Sequence, residues 1–147
     1  MDAAVRYSTQ ERLGFAEYRE FLTRTDLGSQ YPKKNFEARV TRVLQTVDLC
    51  VTARNEAGLL IGICFGLTDF AYFLFLTDLG VDRDYARQGI GRELIRLAVE
   101  QAGGPDDITV TTISNDEAID FYKRCDMVNE PDLVVRYCRD WESFVVE

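Results

Sequence analysis

Hydrophobic residues recur with two different periods along this chain, and the way the periods alternate predicts the order of its elements. Apolar side chains three and four positions apart predict helices over 11–25, 36–47 and 89–102. Short β-branched or continuously apolar runs predict strands over 4–7, 48–54, 59–67, 72–81, 108–113 and 133–137. A helix between the fourth and fifth of these strands predicts a parallel crossover. The pattern is that of a single α/β domain spanning residues 1–147.

The turn after the strand at 72–81 carries the strongest chemical signal. Gly89 and Gly91 allow the backbone to approach a ligand closely, and the first N–H groups of the following helix have no partner inside that helix. Such donors, together with the helix dipole, favour an anion. Three arginines lie close to the turn: Arg83, Arg87 and Arg92. The sequence therefore predicts a phosphate-bearing nucleotide cofactor.

Two common nucleotide sites do not fit this turn. A P-loop closes on Gly-Lys-Ser/Thr, whereas Gly91 is followed by Arg92 and Glu93. A dinucleotide fingerprint needs a third glycine three residues after the second, where this chain has Leu94. The turn therefore does not predict either an ATP cradle or a dinucleotide site.

Residues 86–91 instead resemble the Arg/Gln-x-x-Gly-x-Gly/Ala signature of the GNAT N-acetyltransferases. Residues 115–122 match the family's Asn-x-x-Ala-x-x-Phe-Tyr helix, and the resemblance extends roughly over residues 48–138. The chain departs from the family pattern in two places: Ala86 replaces the opening Arg or Gln, and Asp126-Met127 replaces Gly-Phe. The resemblance implies a three-layer α+β fold, with a central mixed sheet whose parallel strand pair is splayed and flanked by helices. It also implies acetyl-CoA as the co-substrate and direct transfer in a ternary complex.

The resemblance assigns cofactor contacts to two stretches and one further residue. Pantetheine is expected to lie along Leu79, Gly80 and Val81 of the fourth strand. The phosphates are expected at the turn, which comprises Arg87, Gln88, Gly89, Ile90, Gly91 and Arg92. Asn115 is expected to contact the pantetheine arm. Asn115 also lies beside a capping box formed by Ser114 and Glu117, and the two roles are compatible.

Two side chains are candidates for proton transfer. Tyr122 matches the family's tyrosine that protonates the leaving thiolate, and its alternative role is that of a core aromatic residue. Asp78 is the candidate general base, or a carboxylate that holds a cationic acceptor, or an aspartate paired with a nearby arginine. Backbone N–H groups near Leu79 and Gly80 are candidates for oxyanion stabilisation.

Composition limits the partners. The net charge of −8 opposes nucleic acid and anionic membranes and suits a cationic amine acceptor, or only keeps the protein soluble. The absence of histidine and of CxxC spacing among four cysteines predicts no metal site and mostly buried, reduced thiols. No apolar run is long enough to span a membrane, and the first residues carry no export signal, so we expect a cytoplasmic protein. Between the first two helices, Tyr31, Lys33 and Lys34 either contact the acceptor or form a solvated loop.

We therefore predict an N-acetyltransferase that acetylates a primary amine of a small molecule or a protein. The alternative is a non-catalytic acyl-CoA-binding module that has kept the turn and lost transfer. Tyr122 argues against that alternative, because a binding module has no need of a phenol at the sulfur. The family resemblance also favours a homodimer. The apolar residues in the tail from Trp141 to Glu147 are expected either to cover an edge of the fold or to meet a second subunit.

Overall fold

The fold is built on one five-stranded sheet. The computed structural model describes residues 4–147, so the first three residues, part of the segment for which no export signal is predicted, lie outside the described residues. The strands are β1 Arg6–Ser8, β2 Leu49–Arg54, β3 Leu60–Thr68, β4 Phe73–Val81 and β5 Thr109–Thr112. The helices are α1 Phe15–Thr23, α2 Phe36–Thr46, α3 Ile90–Ala102 and α4 Ile119–Arg124. Short 3-10 turns occupy Asp26–Ser29, Arg83–Tyr85 and Asp116–Ala118.

The strand order is β1-β2-β3-β4-β5, antiparallel except for the parallel pair of β4 and β5. This arrangement confirms the predicted mixed sheet with one parallel crossover. Residues along each strand alternate between two apolar clusters, as the pleat of a sheet requires. One cluster contains Phe21 of α1 and Val40 of α2, and the other contains Leu94 of α3 and Phe121 of α4. The sheet therefore separates an α1–α2 face from an α3–α4 face.

The first and the last of the predicted helices are shorter than expected. α1 begins at Phe15, after Gly14, and not at Glu11. The helix expected after Asn115 begins as a 3-10 turn and becomes α-helical at Ile119. In both places the polar and glycine residues before the apolar face favour a cap or a turn over a helix interior.

The predicted strand at 133–137 is wrong. No strand forms in this stretch, and Val134 is 92% exposed, so β5 lies at the edge of the sheet within the described residues. The run of β-branched and aromatic residues supplies β propensity, but a strand also needs a neighbouring strand with which to form a ladder. In this structure the segment does not align with β5.

The C-terminal tail covers the α1–α2 face of its own chain. Of the two predicted positions for the tail, the structure shows packing on the fold. Val146 is buried in the same apolar cluster as Val40, and the ring of Phe144 packs edge-on against Phe36 at 5.1 Å. Trp141, in contrast, remains 54% exposed. The tail therefore belongs to the core of its own chain.

No helix among residues 4–147 is long and apolar enough to cross a membrane. The four cysteines are all unpaired: Cys50 and Cys64 are buried, Cys125 is half-buried and Cys138 is exposed. Burial raises the pKa of the Cys50 thiol to about 11, so this sulfur stays protonated at neutral pH. The prediction of mostly buried thiols fails for Cys138.

Candidate active site at the opening between β4 and β5

The turn after β4 presents unpaired backbone donors. Arg87 and Gly89 both adopt left-handed conformations, with φ of 63° and 82°. Within the described residues, the first N–H of α3 that donates to a backbone carbonyl is that of Glu93, which binds Gly89 O at 3.1 Å. The N–H groups at the start of the helix are thus left for a ligand or solvent, and together with the helix dipole they favour an anion.

The side chains around this turn have different roles. Arg87, Gln88 and Arg92 are exposed, whereas Ile90 is 2% exposed and offers a ligand only its backbone. Arg83 faces away from the turn, because its guanidinium binds the carboxylate of Asp26 at 3.0 Å and backbone carbonyls of the α1–α2 segment. Of the three arginines near the turn, Arg87 and Arg92 remain available to phosphate.

Gly91 has a packing role as well as a place in the signature. A Cβ at this position would lie 3.1 Å from Cζ of Phe121 and 3.8 Å from Cγ2 of Val81. Its lack of a side chain lets the start of α3 pack against α4. Gly89 is different, because a Cβ there would meet nothing within 4 Å, and what favours glycine is the positive φ.

Asp78 owes its position to an irregularity in β4. Phe65 of β3 pairs with Asp78, but the next residue, Gly66, pairs with Leu76, so Thr77 is an extra residue in the strand. Such a bulge shifts the alternation of side chains by one residue. Leu76 therefore contributes to the α3–α4 face, while Asp78 faces the aromatic residues of the α1–α2 face.

Both oxygens of Asp78 accept hydrogen bonds from hydroxyl groups. Tyr31 donates to Oδ1 at 2.6 Å, and Thr77 donates to Oδ2 at 2.8 Å. The hydroxyl of Tyr18 lies 2.7 Å from that of Tyr31, and because Tyr31 gives its proton to Asp78, Tyr18 is the donor in this pair. None of the ion pairs among residues 4–147 includes Asp78. The alternative that Asp78 pairs with an arginine is therefore wrong.

The surroundings of Asp78 act on its ionisation in opposite directions. Burial raises the pKa of the carboxyl above its usual range, and the hydrogen bonds from Tyr31 and Thr77 oppose that rise. Burial, together with the neighbouring carboxylate, holds the pKa of both Tyr18 and Tyr31 well above 10. The two phenols therefore remain protonated donors around a carboxylate whose proton affinity is increased.

The parallel strands separate next to this group. Pairing of β4 with β5 ends at Leu76 and Thr112, where the Thr112 hydroxyl donates to Leu76 O at 2.9 Å. β4 continues to Val81 without a neighbour on that side in the described structure. This confirms the predicted splay of the parallel pair.

The exposed edge of β4 offers specific backbone groups. The N–H of Asp82 donates to Ile61 O at 2.8 Å, so Asp82 faces β3. The backbone N–H and C=O groups of successive residues in an antiparallel strand point to opposite edges of the strand. Those of Gly80 therefore also point toward β3, while those of Leu79 and Val81 point into the opening. Gly80 is not bulged: it pairs with Ile63 of β3. The candidate oxyanion donor in this stretch is therefore Leu79 and not Gly80.

Tyr122 reaches the opening from the other face of the sheet. It is half-buried on α4, packs edge-on against Phe121 at 5.2 Å and belongs to the α3–α4 cluster. Burial raises the pKa of this phenol, and the neighbouring side chain of Thr112 opposes the rise. The charges of Cys64, Cys125 and, least, Asp78 raise the same pKa further. Asp78 thus lies on the part of β4 beyond its pairing with β5, and Tyr122 lies on the other face of the sheet, in the groove beside β5.

Asn115 caps the turn that precedes α4. Its Oδ1 accepts the N–H of Ala118 at 2.9 Å, whereas the Ser114 hydroxyl binds the neighbouring Asn115 carbonyl. The predicted capping box from Ser114 to Glu117 is therefore wrong, and the cap is Asn115 itself. Its Nδ2 group donates no hydrogen bond within residues 4–147 and is available to a ligand.

Two concave surfaces contain predicted site residues. A cleft of about 450 Å³ on the α1–α2 face is lined by Asp26, Arg83, Asn115 and Glu117 among others. A groove of about 1070 Å³ on the α3–α4 face is lined by Gly89, Arg92 and Tyr122 together with β5 and the segment after α4. The structure thus brings part of the predicted phosphate turn and the predicted proton donor to one groove.

Sequence reasoning missed two contributors to this site. Thr77, which creates the bulge, lies in a continuous apolar strand and carries no glycine or proline signal, whereas Gly80, the glycine of the same strand, is regularly paired. Glycine at position 80 has a packing reason, because a Cβ there would lie 3.1 Å from Cδ2 of Leu27. Tyr18 follows the helical spacing of the apolar residues in the first predicted helix, and nothing in that spacing indicates that its hydroxyl reaches Tyr31.

The arrangement agrees with comparisons to known proteins. Residues 10–127 match the profile of the acetyltransferase (GNAT) family. An uncharacterized N-acetyltransferase, ycf52, of Gracilaria tenuistipitata var. liui is 25% identical over 79 residues, which are 54% of this chain and 43% of that protein. The aligned part thus spans less than half the length of this relative.

Two solved structures share the fold. A GNAT family acetyltransferase, SP0256, from Streptococcus pneumoniae TIGR4 superposes with a TM-score of 0.69 at 15% identity, covering 92% of this chain and 99% of the other. The GNAT family N-acetyltransferase YhbS from Escherichia coli, solved in complex with CoA, superposes with a TM-score of 0.63 at 16% identity, covering 85% and 69%. Because the family match spans most of the chain and the sheet has the expected splay, this protein belongs to the GNAT acetyltransferase family.

Proposed function

We propose that this protein transfers the acetyl group of acetyl-CoA directly to a primary amine. The observation that carries the proposal is the opening between β4 and β5, where Asp78 lies on the unpaired part of β4 and Tyr122 lies on the opposite face of the sheet. Family membership and the CoA complex of the Escherichia coli structure support acetyl-CoA as the acyl donor. A direct transfer also suits a chain without histidine, since the usual histidine-activated nucleophile is missing.

The residues present fit acetyl-CoA. Free N–H groups at the start of α3, with Arg87 and Arg92 exposed beside them, suit a pyrophosphate. The backbone of Leu79 and Val81 faces the open edge of β4, where the peptide-like amides of pantetheine can pair as another strand would. Nδ2 of Asn115, which lines the cleft on the α1–α2 face, supplies one further donor.

The chemistry assigned to the side chains follows from their ionisation. Asp78 accepts a proton from the attacking amine, because its raised pKa makes it a stronger base than an exposed aspartate. The N–H of Leu79 stabilises the oxygen of the tetrahedral adduct. As the C–N bond forms and the C–S bond breaks, Tyr122 donates its phenolic proton to the departing sulfur. Solvent then supplies a new proton to the phenol and takes the proton that Asp78 accepted.

The acceptor is proposed to be cationic. The chain carries a net charge of −8, and the cleft on the α1–α2 face includes the carboxylate of Glu117. The carboxylate of Asp26 contributes less to this preference, because Arg83 is bound to it. An amine in its ammonium form would be attracted to such a cleft, and it would lose its first proton to solvent before the attack. A homodimer in the cytoplasm remains our expectation for the working protein.

The first experiment is calorimetric titration with acetyl-CoA followed by a thiol-release assay over a panel of polyamines, amino sugars and peptide amines. We expect binding with turnover on at least one cationic amine, and R92A should weaken binding. R42A is the matched control, since Arg42 is an exposed arginine on α2. Binding without turnover on any amine would favour the non-catalytic acyl-CoA-binding module. Absence of binding would contradict the assignment of the turn.

A further inference from the structure

Tyr31, which binds Asp78, lies in a segment without regular structure. It follows the 3-10 turn at Asp26–Ser29 and precedes Pro32, before α2 begins at Phe36. Residues in such a connection lack the ladder of backbone hydrogen bonds that holds a helix or strand in place. The 2.6 Å contact between Tyr31 and Asp78 therefore needs support from elsewhere in the chain.

That support comes from the C-terminal strap, which we define as residues 142–146. Three backbone contacts join it to the segment around Tyr31. Lys33 N donates to Glu142 O at 2.7 Å, and Val146 N donates to Gly28 O at 3.3 Å. Pro32 and Ser143 form an isolated antiparallel bridge between these two contacts. The strap therefore holds the backbone on both sides of Tyr31.

Side chains of the strap continue the same connection. The ring of Phe144 meets that of Phe36 edge-on at 5.1 Å, and Phe36 in turn meets the ring of Tyr31 at 5.8 Å. Val146 is 3% exposed in the apolar cluster beneath them. The ring of Tyr31 is thus held from one side by a row of aromatic contacts that ends in the strap, while its hydroxyl lies between Tyr18 and Asp78.

We propose that Tyr31 is a positioning residue for Asp78 and that the C-terminal strap fixes Tyr31 in place, so that the end of the chain controls the ionisation of a carboxylate on β4. The consequence for acetyl transfer rests on the proposed function, in which Asp78 is the base. The effect on ionisation itself does not. Removing the Tyr31 hydrogen bond leaves burial less opposed and raises the pKa of Asp78.

Four other titratable groups lie beside Asp78 or are affected by its charge, and none of them titrates in the pH range of the carboxyl. They are Tyr31 and, through it, Tyr18 from the α1–α2 face, Cys64 from β3 and Tyr122 from α4. Burial raises the pKa of all four groups, so each stays neutral through the range in which a carboxyl titrates. A charge change at this site between about pH 4 and pH 8 is therefore that of Asp78.

The test follows the carbon-13 resonance of the Asp78 carboxyl during a pH titration, with the signal assigned by its loss in D78N. We expect the midpoint in Y31F to rise by about one pH unit, the size expected for loss of one hydrogen bond to a charged group. F144A should shift the midpoint in the same direction by a smaller amount. If F144A is too unstable to titrate, F144L serves instead, because it keeps an apolar side chain and loses the aromatic contact.

Two controls separate this effect from general destabilisation. Y72F removes an exposed phenolic hydroxyl far from Asp78 in the β3–β4 turn, and V40A removes two methyl groups from the same apolar cluster as Val146 at the same exposure of 3%. Neither should move the midpoint, although V40A should lower stability. An unchanged midpoint in Y31F would overturn the role of Tyr31. The role of the strap would be overturned if the midpoint shifted in Y31F but not in the Phe144 variants. It would also be overturned if the shift in the Phe144 variants were no larger than the shift in V40A.

The same variants distinguish this inference from the proposed function. If wild-type protein transfers no acetyl group while the titration shifts as expected, the proposed function fails and the control of Asp78 stands. If transfer occurs, Y31F should lower kcat/KM for the amine most strongly at acidic pH, with the loss becoming smaller as pH rises past the new midpoint. Turnover without any shift of the midpoint would leave the function standing and reject the positioning role.

Discussion

Leu76 and Asp78 are separated by one residue on β4, yet their side chains face opposite sides of the sheet. In a regular strand, residues two apart share a face, so Asp78 would lie with Leu76 in the apolar cluster beneath α3. The extra residue at Thr77 moves it to the hydroxyls of the α1–α2 face. Position 78 can therefore hold a carboxylate because the strand is irregular at the preceding residue.

If Asp78 is the base, its amide should abolish most transfer. We expect D78N to lower kcat/KM for the amine by roughly 10²-fold or more, the usual contribution of a positioned general base. Binding of acetyl-CoA, followed by calorimetry, should be unchanged, because the proposed phosphate contacts lie in another segment. D106N, which alters an exposed aspartate between α3 and β5, is the control and should retain full activity. Full activity in D78N would leave Asp78 without a catalytic role.

D78N should raise the stability of the fold at neutral pH, although it lowers activity. Burial raises the pKa of Asp78 above its ordinary value of 3.8, so the folded protein holds a proton that the unfolded chain has released. Stability from this source is fully present below about pH 4 and is lost as pH rises through the folded-state pKa. Asparagine does not ionise and can keep both hydroxyl partners.

Thermal unfolding across pH checks this sign. D78N should have the higher Tm at pH 7, and the difference should shrink as pH falls toward 4. D106N should show no pH-dependent difference from wild type. A lower Tm for D78N at pH 7 would mean that the ionised carboxylate stabilises the fold, contrary to the direction of its pKa shift.

The fold was predictable where it depends on period and on turn residues. The helical face of α3, the long apolar run of β4 and the glycines between them are local signals, and local patterns survive in the tertiary structure. The helix between β4 and β5 also determines that the two are parallel. These features carried the family resemblance and, with it, most of the candidate cofactor site.

What escaped prediction depends on partners distant in sequence. Residues 133–137 have strand propensity and no strand neighbour, so propensity alone misled. The bulge at Thr77 is visible only from the register with β3. The contact between Tyr31 and Asp78 joins two segments far apart in the sequence, and hydrophobic periodicity reports only on near neighbours. The strap that supports this contact belongs to the tail, for which the sequence predicted two alternative positions.

Tyr122 should act on the transfer step and leave binding largely unaffected. Y122F keeps the ring that packs against Phe121 and removes the proton that the leaving sulfur receives. We expect kcat to fall roughly 10²-fold, as is usual for loss of a general acid, with unchanged affinity for acetyl-CoA. Stopped thiol-release assays and calorimetry measure the two quantities, and Y72F is the control. Equal turnover in Y122F and wild type would reduce Tyr122 to a packing residue.

Substitution of either glycine of the signature by alanine should destabilise the fold, but for different reasons. In G91A the new Cβ lies 3.1 Å from the Phe121 ring, and the resulting overpacking should destabilise the fold by about 1–3 kcal/mol. In G89A there is space, but the φ of 82° places alanine in the left-handed region at a cost of about 1–2 kcal/mol. Denaturant unfolding measures both.

A second substitution distinguishes the two causes. F121L should recover part of the stability lost in G91A and none of that lost in G89A, because only Gly91 contacts Phe121. A double-mutant cycle gives the coupling directly. Strictly additive effects of G91A and F121L would mean that the ring moves away without strain and that Gly91 is not required for the packing of α3 against α4.

Asp126, where the chain departs from the family's glycine, lies in the left-handed conformation that a glycine would adopt more readily. Its φ is 64°, and the end of α4 is closed by Asp126 N to Lys123 O at 3.2 Å and by Met127 N to Tyr122 O at 3.1 Å. This is the Schellman arrangement, in which the residue after the helix is usually glycine. We expect D126G to stabilise the protein by about 1 kcal/mol by relieving this conformation, seen as a Tm higher by about 3 °C. D120G makes the same chemical change inside α4, where glycine is unfavourable, and should lower the Tm. A shift of the same sign in both variants would point to the lost negative charge, and not to the backbone, as the cause.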